Sequence, residues 1–567
     1  MLSAKFEQPL SRILGYGATA VSLFVLWGVV NDPVNSTKHF LLGSVAISSL
    51  LIAVQWSYKL IWQDSKAILI LSLLFVLFSI NAVMNSASPV SQNLFGSFGR
   101  NTGFMAYFFL VAILVAALGL RLKRSFEVLL NGLLVTGIVN VAYCFWAWQF
   151  GDFIGWSNPY NTILGTFGNP NFIGAFLGIF VSVLFAFMVS PGRSMKLRFY
   201  CLLPLLVALL EIKQSHAIQG IVVAAGGFAL VLLFLIRDKF NSLVPLITFS
   251  GFVLVAGIVA VMGALQKGPL TQYIYKTSVS LRGEYWQAGI SMGDKFPITG
   301  VGMDSYGDWY RRSREASAMI LPGPNVVTNA AHNVSIDLLA FGGWPLFLTY
   351  IAILVLATIS IVKVVIRQKH FDWIFVGLSV AWICYQVQAL ISINQIGLAI
   401  WGWLLTGAVI AYEISGRRNF DVSSQVKDKV IPTRKIGYSG SNISPQLIGG
   451  IGIVVGGLLG APPLSADMKW RSALQSGNVT NVEMALQPSF LNPANTAKYA
   501  QAVQLFESNK LPDLAYKYAK IGVEFNSDSF DAWKLLYYIS KSTEPDKKIA
   551  LSNMERLDPL NNNILDR

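Results

Sequence analysis

The sequence predicts an all-α, polytopic integral membrane protein with about thirteen transmembrane helices, a large extracytoplasmic loop and a small C-terminal helical repeat domain. Of its 567 residues 54% are hydrophobic and only 13% charged, about half the roughly 25% charge of a soluble globular chain. Apolar residues gather in runs near the ~20 needed to cross a hydrocarbon core. The net charge of +14 is also unevenly placed: residues 465–567 hold 12 basic and 12 acidic residues, leaving 31 and 17 in residues 1–464. An ordinary soluble enzyme, a disordered chain and a collagen are excluded.

The apolar stretches run 13–30, 40–56, 67–84, 103–120, 128–149, 172–190, 199–212, 217–236, 243–265, 334–362, 373–390, 396–415 and 447–464. With a cytoplasmic N-terminus, the alternate connections (1–12, 57–66, 121–127, 191–198, 237–242, 363–372 and 416–446) hold 21 Lys and Arg. The short connections on the other face hold three, Lys38, Arg100 and Lys213. Basic residues concentrate on cytoplasmic loops of membrane proteins, so the expected setting is the inner (plasma) membrane with the tail outside. The excess charge therefore needs no nucleic-acid partner, and no phosphate-binding run of basic residues occurs. The 13–30 stretch lacks a cleavage site followed by a soluble domain and reads as a retained helix. Cys144, Cys201 and Cys384 all lie in apolar stretches, as buried thiols do.

Two segments stand outside this pattern, the 266–333 loop and the 465–567 tail, which divide the chain into a membrane domain (1–464) and a helical domain (465–567). In the tail, 496–508, 514–525, 530–540 and 546–556 have amphipathic helical spacing separated by breakers such as Leu511-Pro512-Asp513 and Asn526-Ser527-Asp528. Helix pairs at about 34-residue spacing resemble tetratricopeptide repeats. Such a domain either binds a protein partner or caps the membrane part.

Transporters carry ionisable residues within their spans. Here Glu211, Lys213, His216 and Glu413 lie near span ends, where side chains snorkel. Polar residues collect instead in 85–102, 151–171, 391–395 and above all 266–333. That loop has seven basic and five acidic residues, aromatic side chains and a histidine at the membrane boundary. Residues 281–292 form a potential helix lying on the membrane, with Leu281, Tyr285, Ala288 and Met292 on one side. Guanidinium forks hold phosphate oxygens, aromatic faces stack on sugars, and a neutral imidazole accepts a hydroxyl proton. The combination suits a substrate that is part lipid phosphate and part sugar.

Arg282 is followed after ten residues by Gly293, with Trp286 completing Arg-x-x-x-Trp, and His332 leads after about ten residues to Gly342-Gly343. These spacings, together with Phe98–Gly103 and Gly168-Asn169-Pro170-Asn171, resemble the O-antigen ligase and polymerase superfamily over roughly residues 60–415. Its members are membrane glycosyltransferases using polyprenyl-pyrophosphate-linked glycans. Two features depart from the pattern: Phe341 stands where an acidic residue often precedes the glycine turn, and 151–171 lacks the arginine expected of a polymerase.

The resemblance implies His332 as general base and Arg282 and Arg100 as contacts to the donor pyrophosphate. Arg311, Arg312, Arg314, Trp286, Asn169 and Asn171 become possible substrate contacts, although the arginine cluster equally suits anionic headgroups and the asparagines suit helix caps, as do Asn394 and Gln395. Glu284 and Asp304 are spare acid–base candidates. No cofactor or metal is implied; arginine takes the electrostatic role. The expected partners are a lipid-linked glycan, a glycan, lipid or protein acceptor, and membrane lipids. A ligase ranks first, a polymerase or protein O-oligosaccharyltransferase next, and a polysaccharide flippase is the competitor of another class.

Overall fold

The computed structural model describes residues 2–264, 277–425 and 443–565. Residues 266–276 of the large loop and most of the 416–446 connection, both singled out above, lie outside the described residues. Helices make up about 75% of the described residues, which contain no strand element.

Every predicted apolar stretch meets a helix. Eight are long and apolar enough to cross a membrane: Asn35–Asp64, Lys66–Met84, Lys123–Phe150, Pro170–Val189, Ile218–Phe240, Val334–Arg367, Ile396–Arg417 and Pro445–Ser476. Phe104–Ala117, Val244–Val259 and Trp373–Ala389 are shorter apolar helices. The remaining two, Leu2–Leu23 and Met195–Gln214, contain three and four charged residues.

The first helix is displaced from its expected 13–30 position and ends at Leu23. A helix C-terminus leaves carbonyls unpaired, and here the fully buried Lys38 takes them, its Nζ donating to Val21, Ser22 and Phe24 at 3.1, 2.5 and 3.2 Å. An ammonium also complements the negative end of the helix dipole. Freed from the helix, residues 24–33 form part of the site.

Connections assigned alternately to two faces do gather at two ends of the bundle. At one end Arg121 pairs with Asp64, Lys123 with Asp372, Arg367 with Glu413, and His370 lies 3.3 Å from Asp238. At the other end, loops around residues 31, 100, 168, 332 and 394 surround one cavity.

The boundary expected after Leu464 falls inside a continuous helix, Pro445–Ser476. Its first half packs on Asn35–Asp64 through small residues: Gly452 faces the Ser48 backbone, and Ser48 Oγ donates to the Gly449 carbonyl at 2.9 Å. Small residues permit such close approach where lipid supplies no hydrophobic drive. Its last turns enter a second core, where Trp470 and Ala473 join Tyr499, Val503, Phe506, Tyr518 and Leu536. In that domain Thr496–Ser508 packs on Pro512–Phe525 and Phe530–Tyr538 on Glu544–Leu557.

Candidate functional site at the bundle end

The large loop is held down at the glycines of its two spaced motifs. Arg282 lies on the Thr277–Lys295 helix, which packs against Val334–Arg367 rather than lying freely on a membrane surface. Tyr285, Ala288 and Met292 are buried in that contact. Gly293 sits so close that an added Cβ would stand 2.5 Å from Leu339 Cγ. The second motif ends where Val334–Arg367 breaks, with Gly343 at φ +68° against the Pro297 carbonyl, a conformation that costs a side-chain-bearing residue far more than glycine. Residues 297–302 clip onto the break: Trp344 N donates to Pro297 O at 2.9 Å, and Val301 N and Gly302 N donate to Ala340 O and Phe341 O at 2.8 and 3.0 Å. The glycines thus brace the elements that carry Arg282 and His332.

His332 itself has φ +54°. A left-handed non-glycine residue costs of order 1–3 kcal/mol and persists only when its flanks determine it. Both flanks do: Ala331 N donates to Asp337 Oδ1 at 2.7 Å, and Asn333 caps the next helix, its Oδ1 accepting from Ser335 N and Ile336 N at 3.0 and 3.3 Å. The imidazole lies 5.8 Å from the Tyr285 ring, centre to centre.

A cavity of about 830 Å³ opens beside it, lined by Arg100, Arg282, Tyr285, His332, Asn169, Asn171, Asn394 and Gln395. Five predicted site residues, from segments up to 232 positions apart, therefore share one space. A hydrogen-bonded chain ties its rim, with Gln395 Nε2 donating to Asn35 Oδ1 at 3.2 Å and Asn35 Nδ2 donating to Gly99 O at 2.7 Å. Asn169 is a helix cap, accepting from Asn171 N at 2.9 Å, while its Nδ2 donates to Tyr160 Oη at 3.1 Å. The buried Asn394 amide nitrogen has no partner, and buried donors ordinarily find one.

Arg471, in the helix that leads into the tail, also lines this cavity. Sequence reasoning assigned the tail no part in the site and missed it. Its placement comes from Asp467, which accepts from Asn31 N, Asn31 Nδ2 and Asp32 N at 3.0, 2.9 and 2.8 Å, fastening the tail to the 24–33 loop. Arg471 Nη1 reaches Asn31 Oδ1 at 3.4 Å.

The three arginines differ in their neighbours. Arg100 is buried, lies 3.5 Å from Asp304 Oδ1 and donates to the Asn329 carbonyl. Asp304, fixed by Ser97 N at 2.8 Å, is thus a partner of Arg100. Neither Arg282 nor Arg471 has a carboxylate within ion-pair distance among the described residues. Burial lowers the pKa of Arg282 without discharging a guanidinium. Burial, then the Arg282 charge, then the Arg100 charge push His332 down from its ordinary value to about 4, so the imidazole is neutral at physiological pH and free to accept a proton.

Other predicted contacts lie elsewhere. Trp286 is buried in the core away from the cavity lining. Glu284 accepts from Ser317 Oγ at 2.9 Å. Arg314 binds Asp558 with both carboxylate oxygens, at 2.7 and 2.9 Å, and Arg311 reaches the same residue at 3.0 Å. Arg312 pairs with Asp528 at 3.1 Å and stacks on Trp309. The cluster expected to grip substrate or headgroups fastens the tail, because its counter-charges come from far down the chain.

Residues 201–351 match the family model described as O-antigen ligase. The matched segment contains Arg282 and His332, whereas Arg100 and the tail lie outside it. No curated protein matches the chain.

Proposed function

We propose that this chain, a multi-pass membrane protein of the O-antigen ligase superfamily, transfers a glycan from a polyprenyl-pyrophosphate carrier to an acceptor hydroxyl on the non-cytoplasmic face. The observation that carries the proposal is the meeting of Arg282, Arg100, Arg471 and the neutral His332 around one cavity. The distribution of basic residues favours a cytoplasmic N-terminus in the inner membrane. That orientation leaves the cavity and the tail on the outer side.

In the proposed reaction His332 takes the proton of the acceptor hydroxyl. The hydroxyl oxygen bonds to the anomeric carbon while that carbon's bond to the pyrophosphate oxygen breaks, inverting the centre. The electron pair leaves on the lipid pyrophosphate, whose growing charge the arginines hold. Donor binding also tunes the base. The phosphates offset the cations that disfavour imidazolium, so His332 becomes more basic once the donor is seated.

A ligase ranks first, and the 151–171 loop, which has no arginine, argues against a polymerase. The test uses purified protein in proteoliposomes with a labelled polyprenyl-pyrophosphate glycan and candidate glycan, lipid and protein acceptors. Label on an acceptor is the expected outcome. Label crossing the bilayer without transfer would establish a flippase instead.

A further inference from the structure

A second cavity of about 750 Å³ lies on the other side of His332, between the large loop and the C-terminal helices. Tyr285 and His332 line both cavities. A transferase needs two substrates to reach one base, and a base between two separate spaces meets that need.

The second space is chemically unlike the first. Arg311, the arginine on its wall, shares the Asp558 carboxylate with Arg314 and sits over the Phe530 ring, 4.1 Å from its centre. Asp308 is likewise occupied, accepting from Ser88 Oγ and Gln92 Nε2 at 2.9 and 3.0 Å. Asp531 adds an exposed carboxylate, and the remaining lining is largely neutral amides and hydroxyls with aromatic rings, including Asn329, Asn495, Gln504, Phe98 and Phe530. Amides pair with vicinal hydroxyls and aromatic faces take the apolar side of a pyranose, whereas a pyrophosphate would meet one arginine beside the carboxylates of Asp308 and Asp531. Asn329 joins the two spaces, since it lines the second cavity while accepting from Arg100.

We propose that this second cavity is the acceptor site, that its occupant is a neutral saccharide, and that the C-terminal helices form its outer wall. The inference rests on the transferase function proposed above and adds the acceptor's chemical class and a role for the tail. The acceptor hydroxyl approaches His332 from the tail side, gives its proton to the imidazole and bonds to the anomeric carbon. The carbon–oxygen bond to pyrophosphate breaks toward Arg282 and Arg100. The tail is then part of the enzyme's specificity.

The experiment uses the full chain in nanodiscs, with saturation-transfer NMR against neutral hexose and N-acetylhexosamine oligomers and separate binding of undecaprenyl pyrophosphate. Gln504, exposed on its helix, is changed to Trp to fill the cavity, and Phe98 to Ala to remove a ring, with thermal unfolding checking that both variants fold. Saccharide affinity is expected to fall more than tenfold in each, with undecaprenyl pyrophosphate affinity unchanged within twofold. Unchanged saccharide binding, equal loss of both ligands, or wild-type binding of peptides in place of saccharides would overturn the proposal. Saccharide binding that behaves as expected in a protein with no affinity for undecaprenyl pyrophosphate would sink the donor assignment and leave the acceptor cavity standing.

Discussion

Two sets of arginines stand at the same end of this molecule and have different fates. Arg311, Arg312 and Arg314 are each met by a carboxylate of the tail, Asp558 or Asp528, and Arg314 and Asp558 are fully buried together. Arg282 and Arg471 line a cavity and have no carboxylate within ion-pair distance among the described residues, and Arg100 is offset by Asp304 at 3.5 Å. A guanidinium held against a buried carboxylate serves as a fastener. One left uncompensated beside a cavity raises the local potential and favours an anion.

The sharpest way to break this contrast is to remove the fastener's counter-charge. Asp558→Ala orphans two arginines and should cost about 3–5 kcal/mol at the seam, as loss of one partner of a buried pair does. The expected readout is faster proteolysis between the membrane part and the tail, with undecaprenyl pyrophosphate binding retained. Arg282→Ala should behave in the opposite way, keeping its protease resistance while losing about 10²–10³ in transfer rate, the scale of a lost transition-state electrostatic contact. Arg471→Ala should be milder, weakening donor binding about tenfold, or roughly 1.4 kcal/mol, as measured by titration with undecaprenyl pyrophosphate. Equal defects in all three variants would dissolve the distinction between the two sets.

The smallest expected effect is that of pH. Protonation consumes the base, so activity is lost as pH falls through the imidazole pKa and not as pH rises. With His332 held to about 4, kcat/KM for the free enzyme should change less than about twofold from pH 8 to 6 and fall below pH 5. Saturating donor should shift the acid limb of kcat upward, because bound phosphates offset the two cations. An acid limb near the ordinary histidine value in kcat/KM would show that the imidazole does not feel Arg282 and Arg100.

The helices were legible because a bilayer demands long apolar runs, and the parity of the connections was legible because basic residues are sorted between its faces. Arg282 and His332 were legible through their spacing to Gly293 and Gly343, and the structure supplies the reason for that spacing: helix contact at one glycine and a helix break at the other. Arg471 was not legible. It reaches the cavity because Asp467 grips the backbone at Asn31 and Asp32, more than 430 positions away, and no local pattern records such a contact. The ion pairs of Arg311, Arg312 and Arg314 were hidden for the same reason, since Asp528 and Asp558 lie in the tail, more than 200 positions down the chain. The early end of the first helix was equally invisible, being set by the burial of Lys38 under its last carbonyls.

The central claim, that His332 is the base between two substrate spaces, is met most directly by single-turnover transfer in nanodiscs presaturated with lipid-pyrophosphate glycan, comparing wild type with His332→Ala. Presaturation removes donor affinity from the comparison. Loss of about 10²–10⁴ in the transfer rate with undiminished donor occupancy is the predicted result, the scale of a lost general base. Transfer at the wild-type rate, or a loss traced wholly to an empty donor site, would contradict it.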